Sequence, residues 1–431
     1  MLDKLEFSRE FPLASGAMAT TPHPTRQVLR ISAVRYFVAS RFFYGLARGL
    51  LHATIAWHVW KLSDSALYLG LLGVLEFLPV IPVSLFAGAV ADSRDRKRIV
   101  MASQSAMLAG TALLFLSTDG NSANVWLILG VPFALSAMSS FESPAGSAIL
   151  PGLVPARLFH SATVIQSNVR NLAFVSGPVL MGFVARYADI AAAYGLAALF
   201  LTAAVLLTAK VQLKPVQRER SPVSWASVKQ GISFVLNSPV VFGSMVLDMF
   251  AVIFAGATAL LPIYADEILG VGELGYGLLS ASMQVGTVAM ALVLLALPPI
   301  QRAGRALLIS VLFFGLATIV FGLSRHFPLS LAAFALAGMA DQVSMTSRSV
   351  ILQLSTPDSL RGRVNSVNMI FIGASNELGA AESGFLAALT SATFSVVLGG
   401  LACLGVVGGV AMWVPEMWRY RVSTDEPPDE R

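Results

Sequence analysis

Long apolar runs of the sequence contain charged side chains, and seven of these are the candidates whose chemistry needs an explanation. They are Arg41, Glu76, Asp248, Asp341, Arg348, Glu377 and Glu382. A charge inside an apolar helix is costly and usually serves a function. Burial favours the neutral form of a carboxyl group, so an embedded acid can carry a proton. We predict cavity or coupling roles for all seven. For Asp341 and Arg348, which lie seven residues apart on one helical face, a structural ion pair is the alternative.

Residues for covalent or metal chemistry are missing from the sequence. No stretch matches the phosphate-binding pattern G-x-x-x-x-G-K-[ST], and no embedded serine or cysteine has a base beside it. The one cysteine, Cys403, cannot form a disulfide framework or a multi-cysteine metal site. The histidines show no metal-binding spacing. We therefore expect no catalytic residue, no metal and no cofactor.

The composition indicates that lipid surrounds the protein. Of 431 residues, 56% are hydrophobic and 12% are charged, and the mean hydropathy is +0.73. A soluble domain carries about 25% charged residues, so this chain lacks the residues for a solvated surface. The net charge of +5 does not indicate nucleic-acid binding, because the basic residues lie in short gaps between apolar runs.

About twelve apolar runs are long enough to cross a bilayer. A spanning helix needs roughly 20 apolar residues, because lipid offers no partner for free backbone groups. The runs lie near 34–60, 67–91, 99–118, 124–149, 161–186, 190–210, 239–264, 274–298, 304–323, 328–353, 364–389 and 392–414. The predicted fold class is an all-α membrane protein with about twelve transmembrane helices in two six-helix repeats.

Basic residues concentrate in every second gap between the apolar runs. Arginine and lysine cluster before the first run and after each even-numbered run, whereas the other gaps carry mainly acids. Basic loops stay in the cytoplasm. We predict a multi-pass protein of the bacterial inner membrane with both termini in the cytoplasm, which agrees with an even number of helices.

A polar stretch in the middle divides the chain into two similar halves. Residues 202 positions apart match between the halves, for example Gly177 with Gly379 and Gly182 with Gly384. Parallel six-helix repeats are used by alternating-access carriers. The predicted domains are a cytoplasmic leader at 1–30, a first bundle at 31–211, a linker with an amphipathic helix at 212–238, a second bundle at 239–414 and a cytoplasmic tail at 415–431.

The gap after the second run carries the sharpest motif. The sequence GAVADSRDRKR at 88–98 resembles the loop signature G-x-L-a-D-r-x-G-r-k of the major facilitator superfamily, with Asp95 where the family usually has glycine. Gly88 lets two helices approach, and Asp92 can accept charge-assisted hydrogen bonds from Arg96. The resemblance implies a gating loop that includes Gly88, Asp92, Arg96 and Lys97.

A second motif lies in the fifth run. The sequence SGPVLMG at 176–182 looks like the G-P-x-x-G-G motif of exporter-type members, with Met181 in place of one glycine. Pro178 removes a helical hydrogen bond and bends the helix. Gly177 and Gly182 permit tight packing. The motif favours export over uptake.

Three further stretches narrow the resemblance to one branch of the superfamily. They are FESPAGSAILP at 141–151, TPDSLRGRV at 356–364 and FIGASNELGAAESG at 371–384. The chain is similar to the branch that contains the enterobactin exporter and macrolide-efflux carriers. That resemblance implies export of a small amphipathic molecule, such as a siderophore, a macrolide or another drug, by proton antiport. Expected partners are this substrate, protons and the bilayer, and we expect the protein to act as a monomer.

Two alternatives remain open. A nutrient importer of the same fold would make cells accumulate labelled substrate. A non-transporting membrane sensor or scaffold would move neither protons nor solutes after reconstitution, although the embedded charges speak against it.

Overall fold

The structure is a computed structural model that describes residues 24–118, 124–213 and 225–422. These residues form helices and short connections, with no β-strand among them. The long helical segments are α1 (Ser32–Ser63), α2 (Ala66–Ser93), α3 (Arg96–Thr118), α4 (Val125–Ser147), α5 (Ala156–Tyr187), α6 (Ile190–Lys210), α7 (Pro239–Ile268), α8 (Gly272–Ala296), α9 (Ala303–Leu323), α10 (Phe327–Ser355), α11 (Arg361–Leu389) and α12 (Ala392–Trp413). The prediction of an all-α fold with about twelve long helices is confirmed.

Seven of these segments are long and apolar enough to cross a membrane by length and composition alone. They are α3, α4, α6, α7, α8, α9 and α12. The other five long helices are α1, α2, α5, α10 and α11, and they contain six of the seven embedded charges named above. The polar residues are therefore concentrated in a subset of the helices.

Helix ends coincide with residues that satisfy free backbone groups. The side chains of Asn124, Asp189 and Ser391 accept backbone N–H bonds at the starts of α4, α6 and α12, at 2.9, 2.6 and 3.1 Å, which is ordinary N-capping. Gly270 and Gly272 adopt positive φ angles of 62° and 63° in the connection from α7 to α8. Residues other than glycine rarely adopt this backbone conformation, so the two glycines allow the chain to turn between α7 and α8.

The long helices pack as two bundles. In the first bundle α1 packs on α5 and α6, α2 on α4, and α3 on α4 and α6. In the second, α7 packs on α11 and α12, and α10 on α8 and α9. The main contacts between the bundles are α2 with α11 and α5 with α8. The interface thus has two parts, and each part joins one helix of the first bundle to one helix of the second.

Glycines that match between the halves occupy matching places in this arrangement. Gly177 on α5 packs on the α1 backbone, and Gly379 on α11 packs on the α7 backbone. Gly182 packs on α8, and Gly384 packs on Gly70 of α2. In each half the first glycine therefore serves the contact within its own bundle, and the second serves the contact with the other bundle.

Contacts between the bundles concentrate at one end, which we call the closed end. Lys61 Nζ lies 3.0 Å from Asp266 Oδ2, and Trp60 Nε1 donates to the same oxygen at 2.9 Å. Trp57 stacks on Tyr276 with 5.2 Å between ring centroids. One buried apolar cluster of the described residues has members from both bundles and includes these aromatic rings, whereas none of the other three joins the two bundles. We call the opposite end, which carries the connection from α2 to α3, the open end.

The helix predicted between the bundles is present at Trp225–Leu236. Val235 is buried, and Gln230 accepts a hydrogen bond from Arg363 of α11. Residues 214–224 of the predicted linker, the leader up to residue 23 and the tail from residue 423 lie outside the described residues. Cys403 is fully buried in α12, where it is part of the apolar core of the second bundle.

We expect Gly384→Ala to destabilise the protein, because its Cβ would overlap the Gly70 backbone of the other bundle. Overpacking of this kind costs about 1–3 kcal/mol. Gly373→Ala on the same helix is the matched control, since no atom lies within 4 Å of its added Cβ. Thermal unfolding of the two purified variants checks this, and equal unfolding temperatures would contradict it.

Candidate functional site

Three basic side chains form a polar strip along α1. Arg41, Arg48 and His52 are spaced by seven and then four residues, so they share one helical face. His52 has a 68% exposed side chain although it lies in the middle of α1. Of these three residues, only Arg41 was predicted from the sequence. The i, i+7, i+11 spacing was the signal that would have identified the other two.

Arg41 forms an ion pair with Glu142 of α4. The Glu142 side chain is 1% exposed and that of Arg41 is 15% exposed. The Arg41 guanidinium occupies the space beside Gly146, where a Cβ would lie 2.6 Å from its Nη1. Glu142 stood inside a recognised motif, but the sequence analysis did not count it among the embedded charges. Helix α4 contains no arginine, so the guanidinium of this pair comes from α1.

Arg48, His52, Glu76 and Glu377 form a second group, which we call the seam cluster. His52 Nδ1 lies 3.8 Å from Glu76 Oε1 of α2. The backbone oxygen of Glu377 on α11 would lie 3.1 Å from a Cβ at Gly73, which is one turn from Glu76 on α2. The structure thus brings the predicted residues Glu76 and Glu377 together across the interface between the bundles.

A buried ion pair crosses the second bundle. Arg348 Nη1 of α10 lies 2.6 Å from Asp248 Oδ2 of α7, with both side chains less than a tenth exposed, and it also donates to Asn368 Oδ1 at 3.2 Å. The alternative pairing of Arg348 with Asp341 does not form. Seven residues of helix separate those two by about 10 Å along the axis, so the guanidinium turns to the neighbouring helix.

Asp341 instead lines a cavity of about 240 Å³ inside the second bundle. Among the side chains that the structure describes, none forms an ion pair or hydrogen bond with this carboxyl group. Asp248, Arg348 and Asn376 line the same cavity, and Phe314 is part of its apolar wall. Three of the five charged residues predicted for the second bundle, Asp248, Asp341 and Arg348, therefore share one site.

The ion pairs of the two bundles place the basic and the acidic residue on opposite helices. The first bundle pairs an arginine of its first helix with an acid of its fourth, and the second pairs an acid of its first helix with an arginine of its fourth. At the repeat offset of 202 residues, Arg348 corresponds to Gly146, beside which the Arg41 guanidinium lies. Both bundles therefore hold one guanidinium–carboxylate pair between the same two helices.

Glu382 stays apart from these groups. Its carboxylate accepts a hydrogen bond from Ser383 at 3.3 Å. Glu377 and Glu382 are five residues apart on α11, so they point in different directions. A coupling role for Glu382 remains a prediction.

The predicted gating loop joins α2 and α3 at the open end. Arg96 Nη1 donates to the backbone oxygen of Ala148 at 2.7 Å, and Lys97 Nζ donates to that of Ala209 at 2.7 Å. Asp95 Oδ1 accepts the backbone N–H of Lys97 at 2.9 Å. An N-cap therefore replaces the glycine that is usual in the family. The surroundings of Gly88 and the Asp92 side chain lie outside the described part of the structure.

The glycine-proline motif lies where α5 contacts both bundles. A Cβ at Gly177 would lie 2.6 Å from the backbone carbon of Gly49 on α1, and one at Gly182 would lie 2.8 Å from the Glu273 oxygen on α8. Pro178 deprives the Phe174 carbonyl of its helical donor, and that oxygen faces Gly49. In this structure the motif therefore allows α5 to pack tightly on both α1 and α8.

Comparisons with known proteins agree with this architecture. A family model described as transmembrane secretion effector matches residues 29–427. The chain is 26% identical over 398 residues to the enterobactin exporter EntS of Shigella boydii serotype 4 (strain Sb227), covering 90% of this chain and 93% of that protein. EntS of Escherichia coli O1:K1 / APEC matches over the same shares at the same identity.

Two solved structures share the fold at low sequence identity. The nucleoside transporter NupG superposes with a TM-score of 0.69 and 13% identity, over 89% of this chain and 99% of that one. A bacterial homologue of the human lysosomal transporter Spinster, in an inward-facing and unoccupied conformation, gives 0.63 and 14%, over 94% and 100%.

We expect Arg348→Gln to destabilise the protein, because it leaves Asp248 as an unpaired buried carboxylate. Removing one partner of a buried pair costs about 3–5 kcal/mol. The double variant Asp248→Asn/Arg348→Gln should regain part of that loss. Arg361→Gln is the control, since its pair with Asp358 is exposed and should be worth about 1 kcal/mol or less. Thermal unfolding in detergent measures all three, and a single variant as stable as wild type would contradict the expectation.

Proposed function

The chain belongs to the family of transmembrane secretion effectors, and from that premise we propose that it exports a small amphipathic molecule from the cytoplasm by proton antiport. The two bundles would alternate between open and closed ends, as in other carriers built from repeats. This function is supported best by the one-sided contact between the bundles.

The predictions of protein class, branch and membrane location are confirmed by the family and its relatives. The chain is a major facilitator transporter of the branch that contains the enterobactin exporter, and it is not an enzyme. It is a multi-pass protein of the inner membrane. The domain boundaries, the monomeric state and the orientation of the termini stay predictions.

The charges of the two ends support an inward-facing arrangement. The open end carries Arg94, Arg96, Lys97 and Arg98 in and beside the connection from α2 to α3. Basic loops remain in the cytoplasm. We therefore assign the open end to the cytoplasm, so that cargo enters from inside the cell and the Lys61–Asp266 contact keeps the outer end shut.

Protons are the coupling ion that the embedded acids support best. Glu76 and Glu377 lie where the bundles meet, and Asp248 and Asp341 line the cavity of the second bundle. Acids inside membrane helices often mark proton pathways. The sequence contains no phosphate-binding loop that would support ATP-driven transport.

The cargo class rests on similarity to relatives. The related proteins from Shigella boydii and Escherichia coli are enterobactin exporters. We propose a siderophore, macrolide or other drug of comparable amphipathic character for this chain. A panel of such compounds, tested on deletion and overexpression strains, identifies the cargo, and accumulation instead of loss of a labelled compound would favour the importer.

We expect cargo and protons to move in opposite directions. In inside-out vesicles with an acidic lumen, a cargo compound should accumulate inside while the lumen becomes less acidic. A pH-sensitive dye and labelled cargo measure the two fluxes. Accumulation that persists after an ionophore collapses the pH gradient would contradict antiport, and no movement of either species would favour a sensor or scaffold.

We expect Asp92→Asn to reduce export without loss of membrane insertion. A charge-assisted hydrogen bond is worth about 1.5–3 kcal/mol, which corresponds to about a tenfold loss or more. Asp358→Asn is the matched control, because this acid is exposed before α11 at the same end of the protein. Efflux by Asp92→Asn at the rate of the control would exclude a gating role for this acid.

A further inference from the structure

We propose that the seam cluster of Arg48, His52, Glu76 and Glu377 holds the coupling proton, and that this proton keeps the closed end shut. The inference rests on the proposed antiport and assigns its proton to particular residues. Two of them, Arg48 and His52, are not part of any motif found in the sequence. The other two come from opposite bundles, so the cluster exists only while the bundles are in contact.

Backbone packing places the two glutamates at the same depth. A Cβ at Gly73 of α2 would lie 2.9 Å from the Ala380 Cβ of α11 and 3.1 Å from the Glu377 backbone oxygen. Glu76 lies one turn beyond Gly73 toward the open end. Because α11 runs antiparallel to α2, Glu377 lies one turn from Ala380 in the same direction. Both acids therefore stand at the inner edge of the contact, beside the space between the bundles.

Helix α1 adds two basic side chains to this edge. His52 contacts Glu76 at 3.8 Å, and Arg48 lies one turn earlier on the same face. The 68% exposure of the His52 side chain gives water access to the cluster. A proton can thus reach or leave these groups from the space between the bundles, while the backbones at Gly73 and Ala380 stay in contact.

The charges of the cluster do not balance without a proton. Two ionised carboxylates and one guanidinium sum to one negative charge when His52 is neutral. One bound proton, on the imidazole or on a carboxyl group, brings the sum to zero. Two carboxylates that share a site resist ionising together, so proton binding stabilises the assembled cluster.

Charges on the surrounding helices do not remove this surplus. Helix α12 contains no charged residue. The other charged residues and histidines of helices packed on α2 and α11 are Glu142, paired with Arg41; Asp248, paired with Arg348; Lys61, paired with Asp266; His58, bonded to Tyr194; Asp341 in the second-bundle cavity; Glu382, bound by Ser383; Glu267 at the closed end; and Arg35, Arg96, Lys97, Arg98, Lys229, Arg361 and Arg363 near the open end.

The direction of coupling follows from this charge balance. A proton taken up from outside neutralises the cluster and favours closure of the outer end. When that proton leaves to the cytoplasm, Glu76 and Glu377 repel each other across the contact and favour its opening. Cargo bound from the cytoplasm would then be carried outward, so that one proton enters for each outward movement of cargo.

Distances across the closed end test the inference directly. Leu62 on α1 and Leu389 on α11 are exposed at 42% and 84%, so spin labels can be attached there as Leu62→Cys and Leu389→Cys in a Cys403→Ser background. The full-length protein in nanodiscs is measured by double electron–electron resonance from about pH 5 to about pH 9, a range that covers histidine titration. We expect the short-distance population to dominate in acid and to fall as the pH rises.

Neutral glutamine should imitate the bound proton. We expect Glu377→Gln, and separately Glu76→Gln, to keep the short distance at every pH, while Asp358→Asn keeps the wild-type dependence. A wild-type distance that does not change with pH would overturn the proposal, as would an equal flattening by the control Asp358→Asn. Failure of cargo–proton exchange in vesicles would reject the antiport. A constant distance in a protein that still exchanges protons for cargo would reject the seam cluster alone.

Discussion

Close backbone contact between helices of opposite bundles is the constraint on which the rest of this structure depends. Gly182 on α5 and Gly384 on α11 each lie against the backbone of a helix from the other bundle. Without a side chain at these positions, two helices can approach until their main chains touch. Both contacts lie toward the closed end, so the bundles are joined there and can separate elsewhere.

Charge is arranged around that contact in two different ways. Within each bundle a guanidinium and a carboxylate pair between the first and fourth helices, Arg41 with Glu142 and Arg348 with Asp248. These pairs brace the bundles internally. Between the bundles the acids outnumber the guanidinium groups, since Glu76 and Glu377 share the edge with Arg48 alone. Alternating carriers move one bundle against the other as a rigid body, and such movement would assemble and separate this interface.

The repeat explains why these features occur twice. Each half uses its fifth helix to grip its own first helix and the second helix of the other bundle. The chemistry has diverged within this shared frame, because the arginine of the ion pair comes from the first helix in one half and from the fourth in the other. Gly146 of α4 is the position that corresponds to Arg348 of α10. Because Gly146 has no side chain, the guanidinium of Arg41 from α1 occupies the space beside it.

The sequence by itself determined the class of the protein, its twelve helices and its repeat, because lipid imposes long apolar runs and the motifs at 88–98 and 176–182 are local. It also identified most embedded acids, since a charge in an apolar run is visible without a structure. Partners across helices were decided by tertiary structure alone. Arg348 pairs with Asp248 and not with Asp341, and Glu377 lies beside Glu76. Neither contact is visible in the sequence, because side chains distant along the chain become neighbours only when helices pack. The partners of Glu142 and His52, and the position of Arg48 beside them, likewise follow only from that packing.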